Sequence, residues 1–259
     1  MNDLARQLWQ ARQTGAVIDP GSVALPQTIE EAYAIQREIV ALSACKVRGF
    51  KIGSTSLEAQ RLLGTTEPGS AALLEPYVHE SPENLAISPL HMAAVEGEFA
   101  FKLARDIPAR ATPYTRDEVA SAVAAVAGAV EVVGTRFAGG LAGKGRLLTT
   151  ADGGVNIACV FGHWQPDWQA LDLPAHPVAM IINGKAMGQG TGARALGDPM
   201  NVLVWLVNQQ SLLGRGLRAG ELISTGTCTG LDAVHPGDRV AADFGALGKV
   251  EIAFRQHQA

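Results

Sequence analysis

The chain has 259 residues, of which 47% are hydrophobic and 18% charged, and its formal net charge is −4. This length suffices for one large domain with a substantial core, or for one domain with a smaller appendage. The acidic balance and the lack of a Lys/Arg run disfavour nucleic acid and acidic membranes as partners, so we expect a small soluble substrate. No run of about 18 apolar residues is present for a membrane helix, and residues 1–6 do not resemble a secretion signal, so a cytoplasmic location is expected.

Two helices are predicted at the start of the chain. Leu4, Leu8 and Ala11 have the spacing of one apolar helix face. A second helix is predicted over residues 28–45, where a capping box opens a series of apolar residues at helical intervals. The apolar faces of these helices need a partner, so we expect them to pack on another subunit in a homo-oligomer.

Short β-like segments follow the two helices. Residues 50–53 and 73–78 are predicted strands, with a short helix over residues 57–63 between them. This change from predicted helices to short predicted strands places a domain boundary near residue 70. It divides the chain into a mostly helical region, residues 1–70, and a β-roll domain, residues 71–259.

A further helix is predicted in the middle of the chain. A capping box at Thr115 and Glu118 opens it, and apolar residues at helical spacing extend it through Val126. A strand that carries Glu131 follows directly. The four glycines of residues 139–145 predict a loop, which could act as a lid or be a plain surface loop.

The rest of the chain is mostly strand-like. An Asn-Gly pair at 183–184 predicts a tight hairpin turn, and Asp198 followed by Pro199 predicts the start of a helix. Many short strands with a few helices favour an α+β fold built around a β-sandwich or closed β-roll. The remaining strands are predicted over residues 155–161, 178–182, 222–224, 239–244 and 249–254.

Two glutamates interrupt an apolar run that otherwise has the composition of a buried strand. Glu96 and Glu98 are two residues apart, so on a strand they lie on one face, with Gly97 on the other. Glu131 has a similar apolar setting. If the three carboxylates lie about 5 Å apart, each pair repels by about 3 kcal/mol at an effective dielectric of about 20, and a divalent cation would relieve that repulsion.

Three carboxylates with water are the ligand set expected for Mg²⁺ or Mn²⁺, whereas zinc prefers nitrogen and sulfur. The spacing leaves a second interpretation open, in which the glutamates lie on solvated strand edges or pair with Arg105 and Arg136.

The cysteine and histidine patterns point away from other metal or redox sites. Cys45, Cys159 and Cys228 are far apart and form no Cys-x-x-Cys pair, so we expect them to be reduced and structural. The histidines show no His-Glu-x-x-His or His-x-His spacing, which disfavours a zinc hydrolase.

Two further features could contact a ligand. Lys51 lies in a short predicted strand between glycines that allow close approach, although a surface lysine would have the same pattern. In the loop at residues 224–230, the hydroxyls of Thr225 and Thr227 and the N–H of Gly226 could bind a carboxylate. An ordinary turn explains this loop equally well.

Several segments occur in an order that carries a resemblance to a known family. They are Gly-Phe-Lys-Ile-Gly-Ser-Thr-Ser at 49–56, Glu-Gly-Glu at 96–98, Val-Glu-Val-Val at 130–133, Asn-Gly-Lys through Gly-x-Gly-Ala at 183–193 and Leu-Gly-Asp-Pro at 196–199. Over roughly residues 28–254, this ordered set resembles the family of 2-oxopent-4-enoate hydratases and 4-oxalocrotonate decarboxylases, within the fumarylacetoacetate hydrolase-like superfamily.

The resemblance implies a fold and a set of site residues. The fold is a mixed β-sandwich or β-roll with a small N-terminal helical region, and the β-roll domain carries the metal site. The resemblance implies Mg²⁺ or Mn²⁺ on Glu96, Glu98 and Glu131, and a catalytic role for Lys51. Substrate-binding roles are expected for Ser54, Thr225, Gly226 and Thr227.

The resemblance also implies a metal-dependent lyase of meta-cleavage aromatic catabolism. The expected reaction adds water to a 2-hydroxy-2,4-dienoate and gives a 4-hydroxy-2-oxo acid. Decarboxylation of a 2-oxo-3-enedioate is the alternative, because it uses the same electron sink and the 225–229 loop somewhat resembles that branch. A noncatalytic metal-binding subunit that accompanies a pathway partner enzyme is the third interpretation.

Three positions depart from the family pattern. Gly134 stands where the family usually has an aspartate, residues 151–156 lack a serine, and Ala71 replaces a glycine. These departures affect the surroundings of the proposed ligands, whereas the three glutamates themselves are present.

Overall fold

The computed structural model describes residues 2–257, so Met1, Gln258 and Ala259 of the predicted regions 1–70 and 71–259 lie outside the described residues. No helix within the described range is long and apolar enough to cross a membrane. The helices of this range are α1 Asp3–Thr14, α2 Ile29–Ser43, α3 Leu57–Leu63, α4 Arg116–Ala120, α5 Gly145–Ala151 and α6 Pro199–Leu212. The strands are β1 Val47–Gly53, β2 Gly69–Leu74, β3 Val78–Glu80, β4 Glu83–Ile87, β5 Ala94–Leu103, β6 Val123–Val133, β7 Asn156–Phe161, β8 Pro177–Ile182, β9 Lys185–Thr191, β10 Leu222–Thr227, β11 Asp232–Ala233, β12 Arg239–Asp243 and β13 Lys249–Gln256.

The strands form two mixed sheets. The larger has the order β2-β1-β10-β5-β6-β7-β3, with β11 also paired to β5, and the smaller has the order β4-β13-β12-β8-β9. The main hydrophobic core includes side chains from both sheets, such as Phe99 of β5 and Val178 of β8, with Phe244 just after β12. Phe99 and Phe244 meet edge to face, with ring centroids 5.7 Å apart. The predicted α+β arrangement of packed strands with few helices is therefore observed.

The two N-terminal helices begin and pack as their sequences indicate. Thr28 caps α2 by accepting a hydrogen bond from the Glu31 N–H, and Asn2 caps α1 in the same way through the N–H of Leu4. Their apolar faces form a second core with residues near α5, which comprises Leu4, Leu8, Ile35, Ile39, Phe137 and Ala151. Because this packing is within one chain, these faces do not support the expected homo-oligomer, and the oligomeric state stays a prediction.

The helix predicted from Thr115 through Val126 is wrong beyond its first turns. The capping box forms, but α4 ends at Ala120 and β6 begins at Val123. Since β6 lies between β5 and β7 and is buried on both faces, its apolar run carries no alternation that would distinguish a strand from a helix.

One strand boundary and one helix also differ from prediction. The strand expected over 73–78 ends at Leu74, and α5 was not predicted because its first residue, Gly145, belongs to the glycine-rich segment. β1, which precedes residue 70, pairs with β2 and with β10, a strand of the predicted region 71–259. The division of the chain near residue 70 stays a prediction.

Candidate metal centre and substrate cavity

Strands β5 and β6 bring the three glutamates together. Their antiparallel register places Glu96 directly opposite Glu131, and Glu98 follows on the same face of β5. Gly97 lies on the opposite face, where a Cβ atom would come within 3.0 Å of Thr229 and 3.1 Å of Val178. The glycine therefore allows the close approach behind β5, while the carboxylates occupy the other face.

The three carboxylates form a compact cluster, in which Glu98 and Glu131 are buried and Glu96 is partly exposed. Each offers one oxygen atom, and these oxygens all lie within 4.8 Å of one another. Glu98 and Glu131 are 0% exposed. The solvated-edge interpretation is therefore wrong for these two residues.

The arginines of that alternative interpretation have other partners. Arg136 forms a buried ion pair with Asp152, with Nε and Oδ1 2.6 Å apart, and Arg105 donates to the Ser121 hydroxyl. Neither arginine neutralises the glutamate cluster.

Strand β10 holds one carboxylate oxygen of Glu98. The Ser224 hydroxyl and the Gly226 N–H both donate to Oε2 of Glu98, the latter over 2.9 Å. Its Oε1 atom is buried and has no hydrogen-bond partner among residues 2–257. A buried carboxylate oxygen left in this state is costly unless a cation meets it.

Glu131 is held from two sides. The side-chain amide of Asn156 donates to Oε1 over 2.8 Å, and Nζ of Lys51 lies 3.2 Å from Oε2. Lys51 is itself 4% exposed. A lysine that is buried and paired in this way is not the surface lysine of the alternative interpretation.

Burial and mutual repulsion raise the pKa values of Glu96 and Glu98. Burial, followed by the charge of Glu131, raises the pKa of Glu96 to about 7, against the opposing effects of Lys51 and Thr227. The same two causes raise the pKa of Glu98 well above its ordinary value. Burial lowers the pKa of Lys51, but the attraction of the carboxylates outweighs it and the net shift is upward, so Lys51 is an ammonium ion at neutral pH.

The cluster fits a divalent cation. It presents only oxygen ligands, Oε1 of Glu98 has no hydrogen-bond partner among residues 2–257, and burial makes the ionisation of Glu96 and Glu98 costly. Mg²⁺ and Mn²⁺ prefer such oxygen atoms. A bound cation would attract all three carboxylates and so offset their mutual repulsion.

A cavity of about 630 Å³ opens beside this cluster, and Lys51, Ser54, Glu96 and Thr227 contribute to its wall. The predicted loop at residues 139–145 also contributes to the wall. The cavity therefore brings together the proposed catalytic lysine, one proposed metal ligand and two of the four residues expected to bind substrate.

Thr225 and Gly226 are not among the residues that line the cavity. The Thr225 hydroxyl donates to the carbonyl oxygen of Phe99, and the Gly226 N–H is bonded to Glu98. Their polar groups thus hold β10 and one carboxylate in place.

The structure explains one departure from the family pattern, the glycine at position 134. At Gly134, a Cβ atom would come within 2.6 Å of Ile157 and 2.7 Å of the His91 carbonyl oxygen, so no side chain fits there. Asp152 supplies a buried carboxylate nearby, which accepts hydrogen bonds from Thr135 and from Arg136. A buried carboxylate is therefore bonded to the two residues that follow Gly134, although residue 134 itself is a glycine.

Two residues that position the carboxylates were not predicted. Asn156 reaches Glu131 from β7, and Ser224 reaches Glu98 from β10. The only sequence signal was that both are polar residues at the margins of apolar strands.

The geometry agrees with the comparison of this chain with known proteins. The family model described as the C-terminal part of fumarylacetoacetate (FAA) hydrolase matches residues 58–255. The chain belongs to the fumarylacetoacetate hydrolase family. The resemblance predicted from the sequence motifs and the expected fold of this family are confirmed.

Several proteins are similar to this chain over nearly its whole length. A 2-keto-4-pentenoate hydratase of Paraburkholderia xenovorans (strain LB400) is 35% identical, over 99% of this chain and 95% of the relative. A 2-hydroxyhexa-2,4-dienoate hydratase of Comamonas testosteroni is 30% identical, over 97% of this chain and 96% of the relative. The solved structure of 4-oxalocrotonate decarboxylase from Pseudomonas putida G7, complexed with magnesium and adipate, matches with a TM-score of 0.88 and 25% identity, over 97% of this chain and 95% of that one.

Replacing Asn156 with alanine is expected to weaken Mn²⁺ binding about 10- to 100-fold, because Glu131 loses the amide that orients it. Titration of the purified protein with Mn²⁺, followed by electron paramagnetic resonance, measures this change. Asn84→Ala, which removes an exposed amide from β4, is the matched control. Equal Mn²⁺ affinity in the Asn156 variant and the control would show that Glu131 needs no such support.

Metal affinity is expected to rise with pH. Glu96, with a pKa of about 7, holds a proton below that pH, and a metal ion must displace it. Since this acid has a raised pKa, the affinity falls as the pH drops, by about tenfold per unit for one displaced proton. Mn²⁺ titrations at several pH values, with the released protons measured calorimetrically, provide the test. An affinity that stays constant from about pH 6 to 7 would contradict the assignment of Glu96.

Proposed function

We propose that this chain is a divalent-metal-dependent lyase that adds water to a 2-hydroxy-2,4-dienoate and produces a 4-hydroxy-2-oxo acid. The observation that carries this proposal is the buried cluster of three carboxylates with Lys51 beside it, at a cavity large enough for a small acid. The hydratase names of relatives that match nearly the full chain favour hydration as the reaction.

Glu96, Glu98 and Glu131 would hold Mg²⁺ or Mn²⁺. When bound, the ion supplies positive charge that stabilises enolate charge on a 2-oxo acid. The structure of the decarboxylase relative is complexed with magnesium, which supports an ion of this class.

Lys51 is proposed to move the proton that starts the reaction. Its ammonium group is buried, and its pKa is raised by the surrounding carboxylates after burial has opposed this. It can give a proton to C5 of the dienol, and the resulting amine can take up the proton of the 2-hydroxyl group. The net change is a proton shift that yields the conjugated 2-oxo-3-enoate.

Water then adds to this conjugated acid, with its oxygen at C4 and its proton at C3. We propose that the hydroxyls of Ser54 and Thr227, which lie in the cavity wall, position the substrate for this step. Thr225 and Gly226 are proposed to act on the substrate indirectly, by fixing β10 and Glu98.

Decarboxylation of a 2-oxo-3-enedioate is the second candidate. The TM-score of 0.88 to 4-oxalocrotonate decarboxylase favours it, because that protein shares the fold over nearly its full length. Both reactions accumulate the same enolate charge, so the same carboxylate cluster could serve either of them.

The experiment compares 2-hydroxypenta-2,4-dienoate with 2-oxohex-3-enedioate, each with Mg²⁺ and with a chelator. Metal-dependent loss of dienol absorbance, with 4-hydroxy-2-oxopentanoate as product and no carbon dioxide, is expected. Release of carbon dioxide from the enedioate without hydration of the dienoate would reverse the order of the two candidates. Binding of Mn²⁺ without turnover of either compound would favour a noncatalytic subunit.

The proposal also includes the metabolic pathway in which the enzyme acts. The substrate class is typical of meta-cleavage aromatic catabolism, where we place the enzyme. A cytoplasmic location, a homo-oligomer and a complex with a pathway partner enzyme stay predictions from the sequence.

A further inference from the structure

The cavity is larger than the proposed reaction requires. Its volume is about 630 Å³, and cavities of about 300–1,000 Å³ commonly hold drug-sized ligands. A five-carbon dienoate held at Glu96 and Lys51 would leave much of this space unfilled. The residues that surround the remaining space therefore bear on which substituent the substrate carries.

Two arginines line the cavity in addition to Lys51, and their states differ. Arg146 is already engaged, because its guanidinium donates to the Ser54 hydroxyl over 3.2 Å and to the Pro68 carbonyl oxygen over 2.6 Å. It connects α5 to two loops. Arg146 therefore serves mainly to hold the cavity wall together.

Arg194 is not engaged in this way. Its guanidinium makes no hydrogen bond to any other residue of the described range 2–257, and its acidic neighbour is Glu58, with Nη2 and Oε2 3.8 Å apart. The side chains of this pair are 38% and 76% exposed. An exposed pair at this distance contributes little energy, so a carboxylate from a ligand could displace Glu58 at small cost.

The charged groups of the cavity wall are complementary to a substrate with two carboxylates. The negative charges of the three glutamates would be balanced by a divalent cation and Lys51, and the first carboxylate of the substrate would bind there. Arg194 supplies a separate cation whose planar guanidinium can meet a carboxylate with two parallel hydrogen bonds. Leu63 and Leu141, which also line the cavity, can cover an aliphatic segment of the substrate.

We propose that Arg194 binds a second carboxylate, so that the preferred substrate is a 2-hydroxy-2,4-dienoate with a carboxylate-bearing substituent at C5. This inference rests on the proposed function and specifies its substrate class. Arg194 acts in it as a specificity-determining residue, and the reacting atoms stay with Lys51 and the glutamates.

The test measures kcat/KM for three dienoates: the unsubstituted five-carbon acid, its 5-carboxymethyl derivative and its 5-isobutyl derivative, a neutral compound of similar shape. The natural chain is expected to prefer the carboxymethyl over the isobutyl compound about 10- to 100-fold, as a charge-assisted bidentate contact allows. Arg194→Met should abolish this preference and Arg194→Lys should retain part of it. Arg105→Met, at an exposed arginine outside the cavity, should keep the natural preference.

Three outcomes would overturn the inference. Equal kcat/KM for the carboxymethyl and isobutyl compounds in the natural chain would do so, and so would a preference that survives Arg194→Met. In both cases, the proposed function would still stand as long as the dienoates undergo metal-dependent hydration. If none of the three compounds undergoes metal-dependent hydration, the proposed function fails and the inference fails with it.

Discussion

Replacing Lys51 with methionine is expected to lower kcat for dienoate hydration about 10²- to 10⁴-fold, the usual contribution of a positioned proton donor. Methionine keeps the length and apolar stem of the side chain but removes the ammonium group that lies 3.2 Å from Glu131. Mn²⁺ should bind the variant at least as tightly as the natural chain, because a positive charge beside the carboxylates has been removed. Steady-state kinetics and Mn²⁺ titration on the same preparation separate these two effects.

Lys102→Met is the control for this prediction. Lys102 lies on β5, the strand that carries Glu96 and Glu98, and is exposed. Its replacement should leave both kcat and metal affinity near their natural values. If Lys51→Met retains most of the activity, Lys51 does not move the proton; if it loses metal as well as activity, its role is to maintain the structure of the site.

Replacing Glu98 with glutamine is expected to weaken Mn²⁺ binding by more than about 100-fold. This loss of affinity is larger than the loss expected when a residue that only hydrogen-bonds to a metal ligand is replaced. Glutamine has nearly the same shape and can still accept from Ser224 and Gly226 through its carbonyl oxygen. The metal-free variant should be at least as stable as the natural chain, because one of the mutually repelling carboxylates is gone. The two effects have opposite signs, which a general loss of folding cannot produce.

Thermal unfolding with and without Mn²⁺ measures both effects of Glu98→Gln. The natural chain should gain in Tm when Mn²⁺ is added, whereas the variant should start from an equal or higher Tm and gain little. Glu251→Gln, at an exposed position on β13, should respond to Mn²⁺ as the natural chain does. A Mn²⁺-dependent gain in the Glu98 variant equal to that of the control would refute its assignment as a ligand.

The glutamate cluster could be predicted because it depends on local geometry. Glu96 and Glu98 are two residues apart on a strand, so their common face follows from strand periodicity alone. The proximity of Glu131 was only a possibility in the sequence, since it depends on the register between β5 and β6. The resemblance carried by the motif order implied that all three glutamates bind one metal ion, whereas the spacing alone left the solvated-edge interpretation open.

The features that could not be predicted involve contacts between distant parts of the chain. Asn156 reaches Glu131 across 25 positions, and Ser224 reaches Glu98 across 126. Arg194 was overlooked because it follows a glycine-rich hairpin strand whose place beside the cavity depends on how the two sheets pack. No local pattern encodes such distances.

The strand β6 shows the limit of periodicity in a different way. Its first residues satisfy helical spacing after a true helical cap at Thr115, yet they form a strand that pairs with β5 and β7 and is buried on both faces. Residues 122–130, which precede Glu131, contain no polar residue that would reveal the period of the strand.

The central claim is that Glu96, Glu98 and Glu131 hold one divalent cation. Crystals of the natural chain grown with Mn²⁺, with X-ray data collected near the manganese absorption edge, test it most directly. The predicted result is one anomalous peak within about 2.0–2.6 Å of a carboxylate oxygen from each of the three glutamates. An anomalous peak elsewhere at saturating Mn²⁺, with none at these glutamates, would contradict the claim.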